Sequence, residues 1–205
     1  MRRSVGVAIA VLAAAPQVAV AQTAGATRSA PSAVVRIRIE TAKGMIEAEL
    51  DSAKAPRTVT NFLEYVDVGA YEQSRFHRTV RADNQPNDSV RIAVIQASVD
   101  SAHASRDATP ISIERTSVTG LRHLDGTLSM ARGGPDTATS SFFICIGDQP
   151  SLDFGGHRNL DGQGFAAFGR VTRGMDVVRA IQTSLAEGQR LTPPIAITRI
   201  VRIKE

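Results

Sequence analysis

Apolar residues recur at every second position where regular patterning begins in this chain. Val35, Ile37 and Ile39 alternate with Arg36, Arg38 and Glu40, and Ile46, Ala48 and Leu50 then flank Glu47 and Glu49. Successive side chains of a strand point to opposite faces, so a period of two buries one face and wets the other. The joining residues Thr41-Ala42-Lys43-Gly44 predict a hairpin between the two runs. Even spacing returns near the far end in Ile195, Ile197, Val201 and Ile203, and residues 126–130 and 142–146 have the composition of short buried strands. Two segments depart from this pattern. Val59, Phe62, Leu63 and Val66 fall on one helical stripe, with Pro56 placed for its first turn and Gly69 just past its end. A second helix fits residues 174–183, with Val177, Val178 and Ile181 on one face. No repeat and no linker divides the body. Many strands and few helices predict a mainly β fold whose antiparallel sheet closes, or nearly closes, and so leaves no exposed edge.

The N-terminus has a different character. Arg2 and Arg3 precede an apolar run over residues 5–15, and Ala19-Val20-Ala21 supplies small residues before Gln22. A charged start, a short apolar core and a small-residue exit are the parts of a secretory signal. The run is short against the roughly 20 residues of a membrane-spanning helix. The competing reading is an uncleaved anchor. The chain is therefore expected to consist of a signal peptide at 1–21, a flexible Ala/Thr/Ser/Gly leader at 22–33 and one folded domain at 34–205. It is expected to be exported, periplasmic or envelope-associated, monomeric, and without a membrane span after cleavage.

Charge and cysteine content narrow the function. Removing Arg2 and Arg3 from the 24 Lys+Arg leaves 22 basic residues against 20 acidic ones, a net charge of +2. The remaining arginines are scattered and only 4% of residues are aromatic, so the clustered basic and stacking surface of a nucleic-acid binder is missing. One cysteine forbids an intrachain disulfide framework, and Cys145, inside a strand-like run, reads as a small buried hydrophobe. His77, His103, His123 and His157 lack metal-ligand spacing, so neither a metal nor a cofactor is expected. There is no nucleophile elbow, phosphate loop or dinucleotide fingerprint, and Asp161-Gly162-Gln163-Gly164 reads as a turn.

Four segments carry more specific information. They are Phe76-His77-Arg78, Val94-Ile95-Gln96, the long stretch from Gly126-Thr127-Leu128-Ser129-Met130-Ala131 through Gly134-Pro135-Asp136-Thr137 to Ser140-Ser141-Phe142-Phe143-Ile144, and Phe168-Gly169-Arg170-Val171 leading into Gly174-Met175-Asp176. In this order they resemble the cyclophilin-type peptidyl-prolyl cis-trans isomerases over about residues 34 to 205. The resemblance implies a closed eight-stranded antiparallel β-barrel capped by two α-helices. It also implies rotation about X-Pro bonds of polypeptide substrates, here during the folding of exported proteins. By the same resemblance Arg78 is the catalytic arginine and Gln96 the glutamine that orients it. Phe143 is the floor of the proline pocket, Val94 and Leu152 are its walls, and Phe76 and Phe165 are further substrate-binding residues. Ala131, Arg132 and Gly133 contact the residue before proline, largely through backbone groups.

Departures from the family pattern qualify this. Ala93 stands where an aromatic is common, Ala97-Ser98 replaces a glycine pair, Ser141 replaces a glutamine, and Ser151 replaces a Trp or Phe. There are some ten extra residues between Arg78 and Gln96, and an insertion at residues 154–164. The lost aromatics predict a shallower pocket and weaker binding of the family's cyclic-peptide inhibitor. The alternative function is a catalytically weak, proline-segment-binding chaperone or scaffold.

Overall fold

The computed structural model describes residues 34–85, 89–100 and 109–203, so the expected signal peptide and leader lie outside the described residues. The first alternating runs form β1 (Val34–Thr41) and β2 (Gly44–Asp51), paired in register from Val34 opposite Asp51 to Thr41 opposite Gly44. The remaining strands are β3 (Arg75–Val80), β4 (Val94–Ser98), β5 (Thr127–Met130), β6 (Phe142–Cys145), β7 (Ala166–Arg173), the two-residue β8 (Ala186–Glu187) and the long β9 (Arg190–Arg202). They are hydrogen-bonded in the order β1-β2-β7-β5-β6-β4-β3-β9, and β9 returns to β1, so eight antiparallel strands close into a barrel. The two-residue β8 is a hairpin arm folded back on β9.

The expected helices are α1 (Pro56–Asp67), which packs on β2, β7 and β9, and α3 (Met175–Gln182), which packs on β2, β3 and β4. The structure adds a third, α2 (Thr116–Thr119), a single turn closed by Gly120 in the left-handed conformation. Four residues are too few to display a helical period, which is why the sequence pattern does not reveal it. The segment beside α2 also caps α1. Ala55 has no side chain able to accept a hydrogen bond from the first turn, and the Glu114 carboxylate accepts from Arg57 N at 3.1 Å, Thr58 N at 2.7 Å and Thr58 Oγ1 at 2.6 Å. A carboxylate at a helix N-terminus satisfies orphan donors and meets the positive end of the dipole.

Inside the barrel lies an aromatic cluster in which Phe62 meets Tyr71, Phe142 and Phe168 at centroid distances of 5.2–5.3 Å. Alternation along the strands divides this core from a second, smaller one. Ile95, Ala97, Phe142 and Ile144 join the interior, while Val94, Phe143 and Cys145 point out of the barrel and cluster with Val80, Ile92 and Leu152. Among the described residues no helix is long and apolar enough to cross a membrane.

Candidate active site

The outer cluster is the floor of a cleft of about 210 Å³, and β3 brings a guanidinium to its rim. In a regular strand Phe76 and Arg78 share a face. Here the register with both β4 and β9 shifts between them, and His77 is the extra residue of a β-bulge. Phe76 therefore points into the barrel, fully buried and edge-on to Phe142, while Arg78 faces outward opposite Gln96. Bulges re-aim side chains in this way. This corrects the expectation for Phe76, which belongs to the barrel core and does not line the cleft.

Two glutamines hold Arg78. Its Nη1 donates to Gln96 Oε1 at 2.9 Å, and its Nε and Nη2 both donate to Gln189 Oε1, at 2.9 and 2.6 Å. Gln96 is fixed in turn, because its Nε2 donates to Ser141 Oγ at 3.0 Å and that hydroxyl donates to Ala97 O at 3.1 Å. Ser141 thus gives the departure from the family pattern a structural role as the anchor of Gln96.

Phe143 forms the apolar floor, with Phe165 edge-on to it at 5.4 Å and Val94, Ile92 and Leu152 beside it. Ile92 supplies apolar lining next to Ala93. Behind the floor, His123 stacks on Phe143 with centroids 6.0 Å apart, its Nδ1 lying 2.7 Å from Asp153 Oδ1 and its Nε2 2.9 Å from Ser129 Oγ. The connectivity is that of a nucleophilic triad, but Ser129 is 0% and His123 1% exposed, so no substrate carbonyl reaches the hydroxyl. The network is a support for the Phe143 ring. Burial alone raises the Asp153 carboxyl, but hydrogen bonds from the His123 ring and backbone, with the nearby charges of His123 and Arg122, outweigh it and leave it below the usual carboxylate range. Cys145 is wholly buried in the same cluster, and burial, with the charges of Asp153, Asp125 and Asp148, pushes its thiol far up.

The far wall is the inserted loop at residues 154–164. Arg132 pins it: Nη1 and Nη2 make a two-pronged pair with Asp161 at 2.7 and 2.9 Å, Nε donates to Gly164 O at 2.8 Å, and the guanidinium lies 5.1 Å from the Phe165 ring centroid. The hydrogen bonds from Arg132 and from Gln163 N pull the Asp161 carboxyl down to about 2. Gly164 lets the end of the loop pack against the Asp153–Phe154 backbone, since a Cβ there meets the Asp153 carbonyl carbon at 2.6 Å and its φ is +66°. From the same loop, Arg158 Nη1 donates to Val90 O at 2.7 Å, tying the two insertions together at the cleft.

The structure therefore brings Arg78, Gln96, Val94, Ala131, Arg132, Phe143, Leu152 and Phe165 around one cleft. Gly133 stands beside it with its N–H donated to Thr137 Oγ1 at 3.1 Å. Sequence reasoning missed Gln189, Ile92, Arg158 and Asn159. The signal for the last two was the insertion itself. A lone glutamine in a turn more than a hundred residues from Arg78 carries no pattern.

Comparisons with known proteins agree with this architecture. Residues 35–202 match a family model described as cyclophilin type peptidyl-prolyl cis-trans isomerase/CLD. Peptidyl-prolyl cis-trans isomerase A of Dickeya dadantii is 36% identical over 160 residues, covering 78% of this chain and 77% of that protein. Peptidyl-prolyl cis-trans isomerase B of Escherichia coli is 35% identical over 147 residues, covering 71% and 83%. A Cryptosporidium parvum cyclophilin-type isomerase, solved in the presence of the dipeptide Ala-Pro, superposes with a TM-score of 0.66 at 22% identity, covering 83% of this chain and 99% of that one.

Proposed function

This chain belongs to the cyclophilin-type peptidyl-prolyl cis-trans isomerase family, and from that membership we propose that its Arg78 cleft accelerates X-Pro rotation in exported polypeptides as they fold. The X-Pro bond resists rotation because resonance gives it partial double-bond character, with a barrier of about 18–20 kcal/mol. A catalyst must bind the twisted bond better than the planar one, and each ~1.4 kcal/mol of that preference is worth about tenfold in rate.

The proline ring rests on Phe143 between Val94, Ile92 and Leu152, and the backbone of residues 131–133 receives the preceding residue. As the bond twists, the prolyl nitrogen regains its lone pair and becomes a hydrogen-bond acceptor. A planar amide nitrogen is a poor one. Arg78, held at the rim by Gln96, donates to that nitrogen and so favours the twisted form over either planar isomer. The observation that carries this reading is a guanidinium fixed by hydrogen bonds of 2.6–2.9 Å at the rim of an apolar floor.

Magnetisation-exchange NMR on a short X-Pro peptide tests it. Wild-type protein catalyses exchange, and Arg78→Ala lowers the rate about a hundredfold while the peptide still binds, the scale of losing one transition-state donor. Peptide binding with no wild-type turnover supports the chaperone reading instead.

The export context rests on Arg2-Arg3, the apolar run and Ala19-Val20-Ala21. Its destination is the periplasm or envelope, and its clients are other exported chains. A closed barrel without free edges suits a monomer. An intact-mass measurement on protein from the envelope fraction, giving a chain that begins at Gln22, supports this. A chain retaining Met1 or Arg2 overturns it.

A further inference from the structure

We infer that Gln189 is a positioning residue for Arg78, and that the insertion between β3 and β4 serves to hold Gln189 in place. The inference rests on the isomerase reading of the cleft. Gln96 accepts at one end of the guanidinium only, from Nη1 at 2.9 Å. Gln189 Oε1 accepts from the opposite edge, Nε at 2.9 Å and Nη2 at 2.6 Å, so the plane of the guanidinium is fixed from both sides. Arginine presents its donors in a rigid fork, and fixing two edges fixes where the remaining donor directions point.

Gln189 sits in the turn between β8 and β9, a position that on its own gives a side chain little order. The structure supplies that order from the insertion. The short helical turn Ala82–Asn84 places Asn84 against the hairpin, where Asn84 Nδ2 donates to Gly188 O and Thr79 O at 3.0 Å each, and Gln189 Nε2 donates to Asn84 O at 3.2 Å. Asn84 Oδ1 in turn accepts from Arg81 N at 2.7 Å, and Gln189 O accepts from Thr79 N at 2.8 Å. A continuous chain of hydrogen bonds thus runs from the inserted loop through Asn84 and Gln189 to Arg78. Gln96 and Gln189 are neutral amides and add no formal negative charge of their own at these contacts.

Gln189→Met keeps the length of the side chain and removes its acceptor. With X-Pro peptides, kcat falls about tenfold while KM stays near the wild-type value, because the floor that binds the ring is untouched and only the donor is misplaced. Asn84→Ala gives a smaller loss in the same direction. In an Arg78→Lys background, Gln189→Met has no further effect, since the fork it positions is gone. By NMR, the Arg78 Nε–H of the wild type is sheltered by Gln189, and it exchanges faster with water in Gln189→Met. Glu187→Ala, in the same hairpin, leaves kinetics unchanged. A wild-type protein without turnover defeats the isomerase reading, and this inference with it. An active wild type whose Gln189→Met variant keeps its kcat, or loses equally in the Arg78→Lys background, overturns the inference alone.

Discussion

His77 is the extra residue of the β3 bulge, and its ionisation reflects that position. Burial pushes its imidazole below the ordinary histidine value of 6.5, a backbone hydrogen bond with Arg75 opposes this, and the Arg78 charge pushes the same way as burial. The folded protein therefore holds His77 neutral where the unfolded chain begins to protonate. Stability from this group is complete above pH 6.5 and declines as pH falls from there toward the lower folded value. Urea unfolding at pH 7.5 and 5.5 checks this, with a smaller difference between the two expected for His77→Gln than for the wild type. The residue scale is also where sequence reading is most uneven. Alternation requires Phe142 and Phe143 to face opposite ways, and the family resemblance assigns Phe143 to the cleft, where the structure places it. Alternation fails at Phe76 because a bulge one residue on changes the parity, and bulges have no composition signal.

At the scale of elements, the inserted loop at 154–164 behaves as a wall because one arginine bolts it down. The Arg132–Asp161 pair joins a guanidinium with a 2% exposed side chain to a carboxylate held near 2. Because the folded value is depressed, the pairing is intact at neutral pH and is lost only as pH falls through about 2. Asp161→Asn keeps an acceptor and loses the two-pronged ionic pair, so the wall loosens while Arg78 is untouched. The expected kinetic signature is a KM raised about threefold to tenfold with kcat retained, measured with peptides longer than the X-Pro pair. The two longer helices were legible from stripes and flanking Pro and Gly. The wall was legible only as extra length, since neither its closure onto Arg132 nor the Arg158 tie to Val90 follows from local sequence.

Over the whole molecule, closure of the barrel depends on a pairing between the first and last strands. β1 meets β9 from Ile37 opposite Arg202 to Thr41 opposite Ile197, across nearly the full length of the domain. The alternating runs at both ends identify those two strands, and the family resemblance implies a closed barrel, but that these two are neighbours is seen only in the structure. Cys145 lies on the outer face of β6 beneath the cleft lining, 0% exposed and with its thiol pushed far up. A thiolate is the reactive form, so both access and ionisation protect the only sulfhydryl in the chain. The protein therefore carries an internal clock for its own opening. A thiol-reactive dye labels the native molecule only as often as the β6 side of the barrel comes apart, and occupancy of the cleft by an X-Pro peptide slows the reaction. Labelling followed by mass spectrometry at rising urea reads that rate directly, and prompt modification of the native protein refutes it. The same burial keeps the enzyme from being captured in a mixed disulfide by a cysteine of a bound substrate chain.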